Sequence, residues 1–184
     1  MKAVVQRVTN ASVSVSGVQK GSIGYGLLAY LGVARDDTAE DALWLAEKIV
    51  NLRILDDSDG KMNLSLLDIV NPPKPPGNIN NVNRQEKPVN AAALDVNREN
   101  RTVNKTPVGV LAVSQFTLLG DARKGRRPSW EKAAPPEKAR ELYQYFIEKI
   151  REKAPCESGE FQARMEVKYA NEGPVTILLD SKEK

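Results

Sequence analysis

Residues 26–33 read GLLAYLGV, an apolar run of strand length with no polar residue to turn outward. Such a run fits a strand covered on both faces, which places it inside a sheet with layers packed above and below. Residues 108–119, VGVLAVSQFTLL, repeat the pattern further along the chain but end in polar Ser114, Gln115 and Thr117. Around these two strands the rest of the chain arranges itself. Residues 2–8 and 12–16 alternate apolar and polar, which predicts a hairpin turning at Thr9-Asn10-Ala11, with Val4, Val8, Val13 and Val15 among its inward candidates. The glycines of GSIGYG, residues 21–26, have the wrong spacing for a phosphate loop and read as a turn.

Two helices are written in a different period. Asp37 precedes Thr38-Ala39-Glu40 as an Asp-x-x-Glu start, after which Leu43, Ala46, Ile49 and Val50 recur at helical spacing. The second helix runs from Pro136 or Glu137 to about Lys153, with prolines in its first turn and a stripe of Ala139, Leu142, Tyr143, Phe146 and Ile150. Short strands at 53–55 and 61–64 flank the DDSDG turn, which lacks the remaining ligands of a calcium loop. Residues 161–169 and 174–179 read as two closing strands. Strands outnumbering two separated helices indicate an α/β layered domain.

Composition narrows the chemistry. The chain has 184 residues, the size of one domain. No apolar stretch approaches the about 18–20 residues of a membrane span, and the N-terminus lacks the apolar block of a signal peptide, so a cytoplasmic location is expected. One cysteine, Cys156, excludes an internal disulfide and a cysteine zinc cage. With no histidine at all, a Ser-His-Asp site, a His-ligated zinc and a histidine base are impossible within the chain, and neither metal nor cofactor is expected.

Residues 71–107 break the pattern with nine Asn and six Pro, too little apolar surface to offset chain entropy. Six basic and three acidic residues there account for the whole formal excess of +3. They read as an insertion or long arm, solvated or touching RNA. Three clusters remain as carriers of chemistry. Ser114-Gln115-Phe116-Thr117 puts polar groups at a buried strand end, where they are either paired structurally or face a pocket. Asn171-Glu172-Gly173-Pro174-Val175-Thr176 precedes the last strand, and Gly-Pro in isolation reads as a trans turn. Arg123-Lys124-Gly125-Arg126-Arg127-Pro128 is a solvated charge run by itself, and beside a pocket it would be placed to hold phosphates.

These residues resemble a known family. MKAVVQRVTNASVSV at the start, then GLLAYLGV, KMNLSLLD, SQFTLLGD, RPSW, ELYQYF, GEFQARMEV and NEGPVTILLD closely resemble the D-aminoacyl-tRNA deacylases of the D-Tyr-tRNA(Tyr) type. SQFT and NxGPVT in this order and separation are the specific signatures, and only residues 71–107 depart from the compact family pattern. The resemblance implies a barrel-like layered sheet with two main helices. It also implies a homodimer whose active sites lie at the subunit interface and hydrolyse the ester between a D-amino acid and the tRNA 3′ end.

Gly173-Pro174 is then expected to be cis and to reach into the partner's pocket, its carbonyls accepting from the substrate ammonium. Ser114, Gln115, Phe116 and Thr117 are expected to line that pocket, with Phe116 near the terminal adenosine and Arg7 orienting the Gly-Pro backbone. An L side chain would strike that backbone, a D side chain would point away, and glycine would be excluded imperfectly. Hydrolysis assisted by the adenosine 2′-hydroxyl is favoured over a Thr117 nucleophile, which has no evident base. The alternatives are editing of a mischarged L-aminoacyl-tRNA and a non-catalytic RNA-binding homologue.

Overall fold

A computed structural model describes residues 1–72 and 106–183 of the chain. In chain order these form β1 (Lys2–Val15), β2 (Val18–Ile23), β3 (Gly26–Gly32), α1 (Ala39–Asn51), β4 (Leu55–Asp56), β5 (Met62–Leu64) and α2 (Leu66–Val70). After residues 73–105, β6 (Gly109–Ser114), a 3-10 turn (Phe116–Leu119), α3 (Pro136–Arg151), β7 (Cys156–Ser158) and β8 (Met165–Asp180) complete them. Most of the expected arm at 71–107 therefore lies outside the described residues.

The spine is β1. Along one edge it runs antiparallel to β8 from Lys2 opposite Asp180 to Val15 opposite Met165. Along the other, its first half pairs with β3 and its second half with β2. β3 then runs parallel to β6, and β6 parallel to β7. The sheet curls until β2 meets β7: a Cβ on Gly21 would stand 2.9 Å from the Ser158 carbonyl oxygen, so only glycine lets the two strands approach. The result is a nearly closed barrel.

Its inside is filled by Val8, Ala11, Val13, Ile23, Leu28, Leu111 and Val113. Outside, α1 and α3 pack together over the opposite face of the sheet, with Leu45, Ile49, Phe146 and Ile150 fully buried against Val5, Leu27 and Val110. Each such side chain removed from water contributes about 1.5–3 kcal/mol. The described helices include none long and apolar enough to cross a membrane.

Several expectations need correction. Thr9-Asn10-Ala11 is not a turn, and β1 is one strand. Its register against β8 slips between Gln6 and Val8 and again between Val8 and Asn10. The second slip adds a residue to β1, so its odd-numbered side chains face the helix-covered side before it (Ala3, Val5) and the barrel interior after it (Ala11, Val13), where Val8 already points by alternation. Of the four valines expected inward, Val8 and Val13 are buried, while Val4 and Val15 are half-buried. The reversal comes at Ser16-Gly17, both at positive φ, and leads into β2, so residues 21–23, expected in the GSIGYG turn, are strand. The two closing strands are one, β8, which carries the Gly-Pro step within it.

The N-cap of α1 is Thr38, boxed with Asp41 rather than Glu40, because Asp37 is fully buried and binds the Met1 amine at 2.6 Å and the Ala34 N–H at 2.6 Å. Leu43 is only half-buried; the helix faces the core with Ala42, Leu45, Ala46 and Ile49. DDSDG is a turn closed by Asp57, whose carboxylate accepts from the Asp59 and Lys61 N–H groups.

Candidate active site

The strand reading of residues 108–119 stops at Ser114. β3, the parallel partner, ends there as well: Leu31 pairs with Ser114, and the Gln115 N–H donates to the Leu31 carbonyl at 2.7 Å. Without a further neighbour to bond, the chain coils into the 3-10 turn from Phe116, closed by Leu118 N–H to the Gln115 carbonyl at 3.2 Å. The first N–H groups of such a turn have no partner inside it, which leaves those of Phe116 and Thr117 as donors the turn does not use.

Ser114 and Gln115 are half-buried and Phe116 is 58% exposed. All three border a cleft of 540 Å³ whose floor and far wall come from α3, the turn after β7 and the start of β8, through Ala139, Tyr143, Phe161, Met165 and Val167. Tyr143 is held there by donating to the Ala112 carbonyl at 2.9 Å, and burial pushes its phenol far above the ordinary value, so it stays protonated. Thr117 does not line the cleft. Its hydroxyl accepts a hydrogen bond from the Gln115 amide, and no basic group joins it among the described residues.

The second group of residues is built on β8 opposite Arg7. Asn171 pairs with Val8 and Thr176 with Gln6, so residues 172–175 of β8 face the single residue Arg7 and stand out from the ladder as a corner. Gly173-Pro174 is cis, as the resemblance implies. The corner is tied at its neck by Asn171, whose side-chain oxygen accepts from the Val175 N–H at 3.0 Å. Behind it lies Arg7, 6% exposed. Its Nε donates to the Glu172 carbonyl at 3.3 Å, while Nη1 donates to the Ile54 carbonyl at 3.0 Å and to Asp56 Oδ1 at 2.7 Å. The Glu172 carboxylate sits 3.5 Å from Nε, close enough to balance charge without a hydrogen bond.

Gly173 has φ +116, and a Cβ there would meet Val175 Cγ2 at 2.8 Å and Arg7 Nη2 at 3.1 Å. Glycine is therefore required twice, by conformation and by space. Tyr25 borders the same network. Burial and then the Glu172 charge raise its phenol, against the opposing Asp56 N–H and Arg7.

The structure thus brings Ser114, Gln115 and Phe116 together at one cleft, and Arg7 together with Gly173 and Pro174 at one corner. It does not bring the two groups together within the chain: the cleft takes Met165 and Val167 from β8 but nothing from residues 171–176. Gly173 and Pro174 are both exposed. Sequence reasoning missed Ile54 and Asp56, the groups that fix Arg7, and Trp130, which meets Phe116 edge to face with ring centroids 5.3 Å apart. The RPSW motif was the available signal for Trp130.

The family described as D-Tyr-tRNA(Tyr) deacylase matches residues 4–72 and 86–180. A D-aminoacyl-tRNA deacylase of Thermosipho melanesiensis is 47% identical over 185 residues, covering 100% of this chain and 99% of that protein. Among solved structures, one titled c-Myc DNA Unwinding Element Binding Protein is 34% identical with a TM-score of 0.74, covering 98% of each chain. A second, titled as a probable eukaryotic D-amino acid tRNA deacylase, superposes with a TM-score of 0.66 at 17% identity over 97% of each chain, a likeness of fold. The corner, the strand end and the whole sheet around them are matched together, and the chain belongs to the D-Tyr-tRNA(Tyr) deacylase family.

Proposed function

We propose that this chain hydrolyses the ester joining a D-amino acid to the 3′-terminal adenosine of tRNA, as a homodimer acting in the cytoplasm where aminoacyl-tRNA is used. The observation that carries this reading is the corner at residues 172–175, an exposed piece of backbone fixed from behind by buried Arg7. It takes no part in its own chain's cleft, which supports a role in the cleft of a partner. Leu178, 76% exposed further along β8, adds an uncovered apolar residue on the same strand.

In that role the carbonyls of Gly173 and Pro174 accept from the substrate ammonium. With the ammonium anchored, an L side chain collides with the corner and a D side chain points away from it. Selection is then by exclusion, which tolerates many D side chains and rejects glycine poorly. Phe116 receives the adenine.

Water adds to the ester carbonyl carbon, oriented by the adenosine 2′-hydroxyl. The Phe116 and Thr117 N–H groups hold the developing oxyanion, and the ribose oxygen leaves protonated as the C–O bond breaks. Thr117 is not the nucleophile, since among the described residues its hydroxyl has only the Gln115 amide for a side-chain partner.

The test is release of free amino acid from matched D-Tyr-tRNA and L-Tyr-tRNA. A rate on the D ester about 100-fold or more above that on the L ester, ~2.7 kcal/mol or more between transition states, is expected. Equal rates, or no hydrolysis of either, overturn the reading. A terminal 2′-deoxyadenosine should slow hydrolysis severely, and an unchanged rate removes the 2′-hydroxyl from the mechanism.

A further inference from the structure

Residues 121–129 leave the strand end and return to it. Asp121 and Ser129 pair as an antiparallel bridge, with N–H to carbonyl distances of 2.9 and 2.8 Å. Beyond that bridge Trp130 packs against Phe116, and both rings face outward, 40% and 58% exposed. The loop is therefore stapled at its base to the residue that borders the cleft.

Its charges divide sharply. Arg123 bends back onto Asp121, its Nε 2.8 and 3.0 Å from the two carboxylate oxygens, and this contact holds Asp121 well below the usual carboxylate range. Lys124, Arg126 and Arg127 are exposed and have no ion-pair partner among the described residues. That sets them apart from Lys2, Lys20, Lys149, Lys153 and Lys182, each of which lies beside a carboxylate. Gly125, at φ +75 with open space around it, turns the chain so that the three uncompensated cations share one tip.

Gly125 is four residues from Asp121, so the tip stands at most about 14 Å beyond the base at ~3.5 Å per residue. At a rise of about 3.4 Å per nucleotide of stacked strand, that reach covers about four nucleotides. An aromatic pair at the base and bare cations at the tip match a strand whose last base lies on the rings and whose preceding phosphates run along the loop.

We infer that Lys124, Arg126 and Arg127 grip the backbone phosphates of the tRNA acceptor strand just before its terminal adenosine. The loop thereby supplies affinity for a polynucleotide that the corner, which reads handedness alone, does not. This rests on the deacylase reading above.

The experiment compares kcat/KM on D-Tyr-tRNA with that on 3′-O-D-tyrosyl adenosine, which has no phosphate. The protein is the wild type and a variant carrying Lys124→Gln, Arg126→Gln and Arg127→Gln. The variant's preference for tRNA over the nucleoside ester should fall about 10- to 100-fold, through KM. Its log(kcat/KM) on tRNA should also lose about 2–3 from its slope against log[salt], as three phosphate contacts at ~0.7–0.9 each require. A second variant neutralises Lys20, Lys48 and Lys149, on β2, α1 and α3, and should keep both the preference and the slope.

An unaltered preference in the loop variant, or an equal fall in the second variant, overturns the proposal. So does an equal loss of affinity for a DNA duplex that binds as tightly as tRNA, since the loop would then hold duplex phosphates in general. If the wild type hydrolyses neither ester, it is the deacylase reading that has failed, and this proposal falls with it.

Discussion

The corner on β8 and the strand end after β6 are both polar backbone at the margin of a packed sheet, yet they are built in opposite ways. The corner is supported from behind by a buried guanidinium that binds three acceptors on two segments of chain: the Glu172 carbonyl of β8, and the Ile54 carbonyl and Asp56 carboxylate. The strand end is supported from below, by the Leu31 carbonyl and the apolar cleft floor, and its side chains bond to each other. A network of charge fixes the corner; packing and one ladder bond fix the strand end. In the function we propose, the corner selects by collision and must not yield, whereas the strand end positions water and adenosine and can adjust. The two modes of support suit those two tasks.

Breaking the charge network should have the largest effect. Arg7→Met leaves the Asp56 and Glu172 carboxylates facing each other without their cation. Loss of a partner from a buried pair costs about 3–5 kcal/mol, and because both carboxylates are 37% exposed the loss here should be nearer ~2–3 kcal/mol. Arg7→Lys should recover little of it, since one ammonium cannot reach all three acceptors. Urea unfolding measures the cost, and the D-to-L rate ratio of the folded fraction should fall with it.

Tyr25 supplies a second readout. Its phenol is raised in the fold, so it favours the protonated form, and its contribution to stability is present below the ordinary tyrosine value and lost as pH rises through the raised one. Removing Arg7, which opposes that rise, should move the Tyr25 titration further up, as followed by tyrosinate absorbance against a Tyr25→Phe background.

Next in size is Gly173→Ala. A residue with a Cβ at φ +116 is strained, and here the added carbon also lies 2.8 Å from Val175 and 3.1 Å from Arg7. A loss of about 1–3 kcal/mol is expected. The D-to-L ratio should drop more than the rate on the D ester, and a variant that lost rate without losing selectivity would separate the corner from discrimination.

The same contrast explains what could be read in advance. β3, β6, α1 and α3 were legible because long apolar runs and 3.6-residue periods are local signals. Ser114 and Gln115 were legible as polar residues where an apolar strand runs out. Residues 171–176 stood out as a cluster, but the cis bond of the corner was expected only through the resemblance, since Gly-Pro alone reads as a trans turn. Arg7's anchors were not visible at all, because they lie 47 and 49 residues away in sequence and no pattern links them. β1 read as a hairpin because the extra residue between Val8 and Asn10 shifts its buried side chains from one face of the sheet to the other, which imitates a turn. α2, with five residues, and β7, with three, are too short to establish a period.

At the strand end, single changes should be mild. Tyr143→Phe removes a buried hydrogen bond to the Ala112 carbonyl, but that carbonyl also accepts from the Gly159 N–H at 3.0 Å and is not orphaned. A cost of about 1 kcal/mol is expected, read by urea unfolding, with selectivity for the D ester intact. Thr117→Ala should be the smallest. Thr117 is exposed, lies outside the cleft lining and, among the described residues, its hydroxyl is bonded only to Gln115 among side chains, so its removal should leave stability within about 0.5 kcal/mol.

Deacylation of D-Tyr-tRNA by that variant should stay within about tenfold of wild type, ~1.4 kcal/mol in the barrier, because the backbone N–H of residue 117 remains. A covalent nucleophile would behave otherwise, since its loss removes the only route to the acyl-enzyme. A fall of about a thousandfold or more in kcat, with KM and unfolding unchanged, would make Thr117 that nucleophile. The strand end would then be as exacting as the corner, and the division of labour between them would no longer hold.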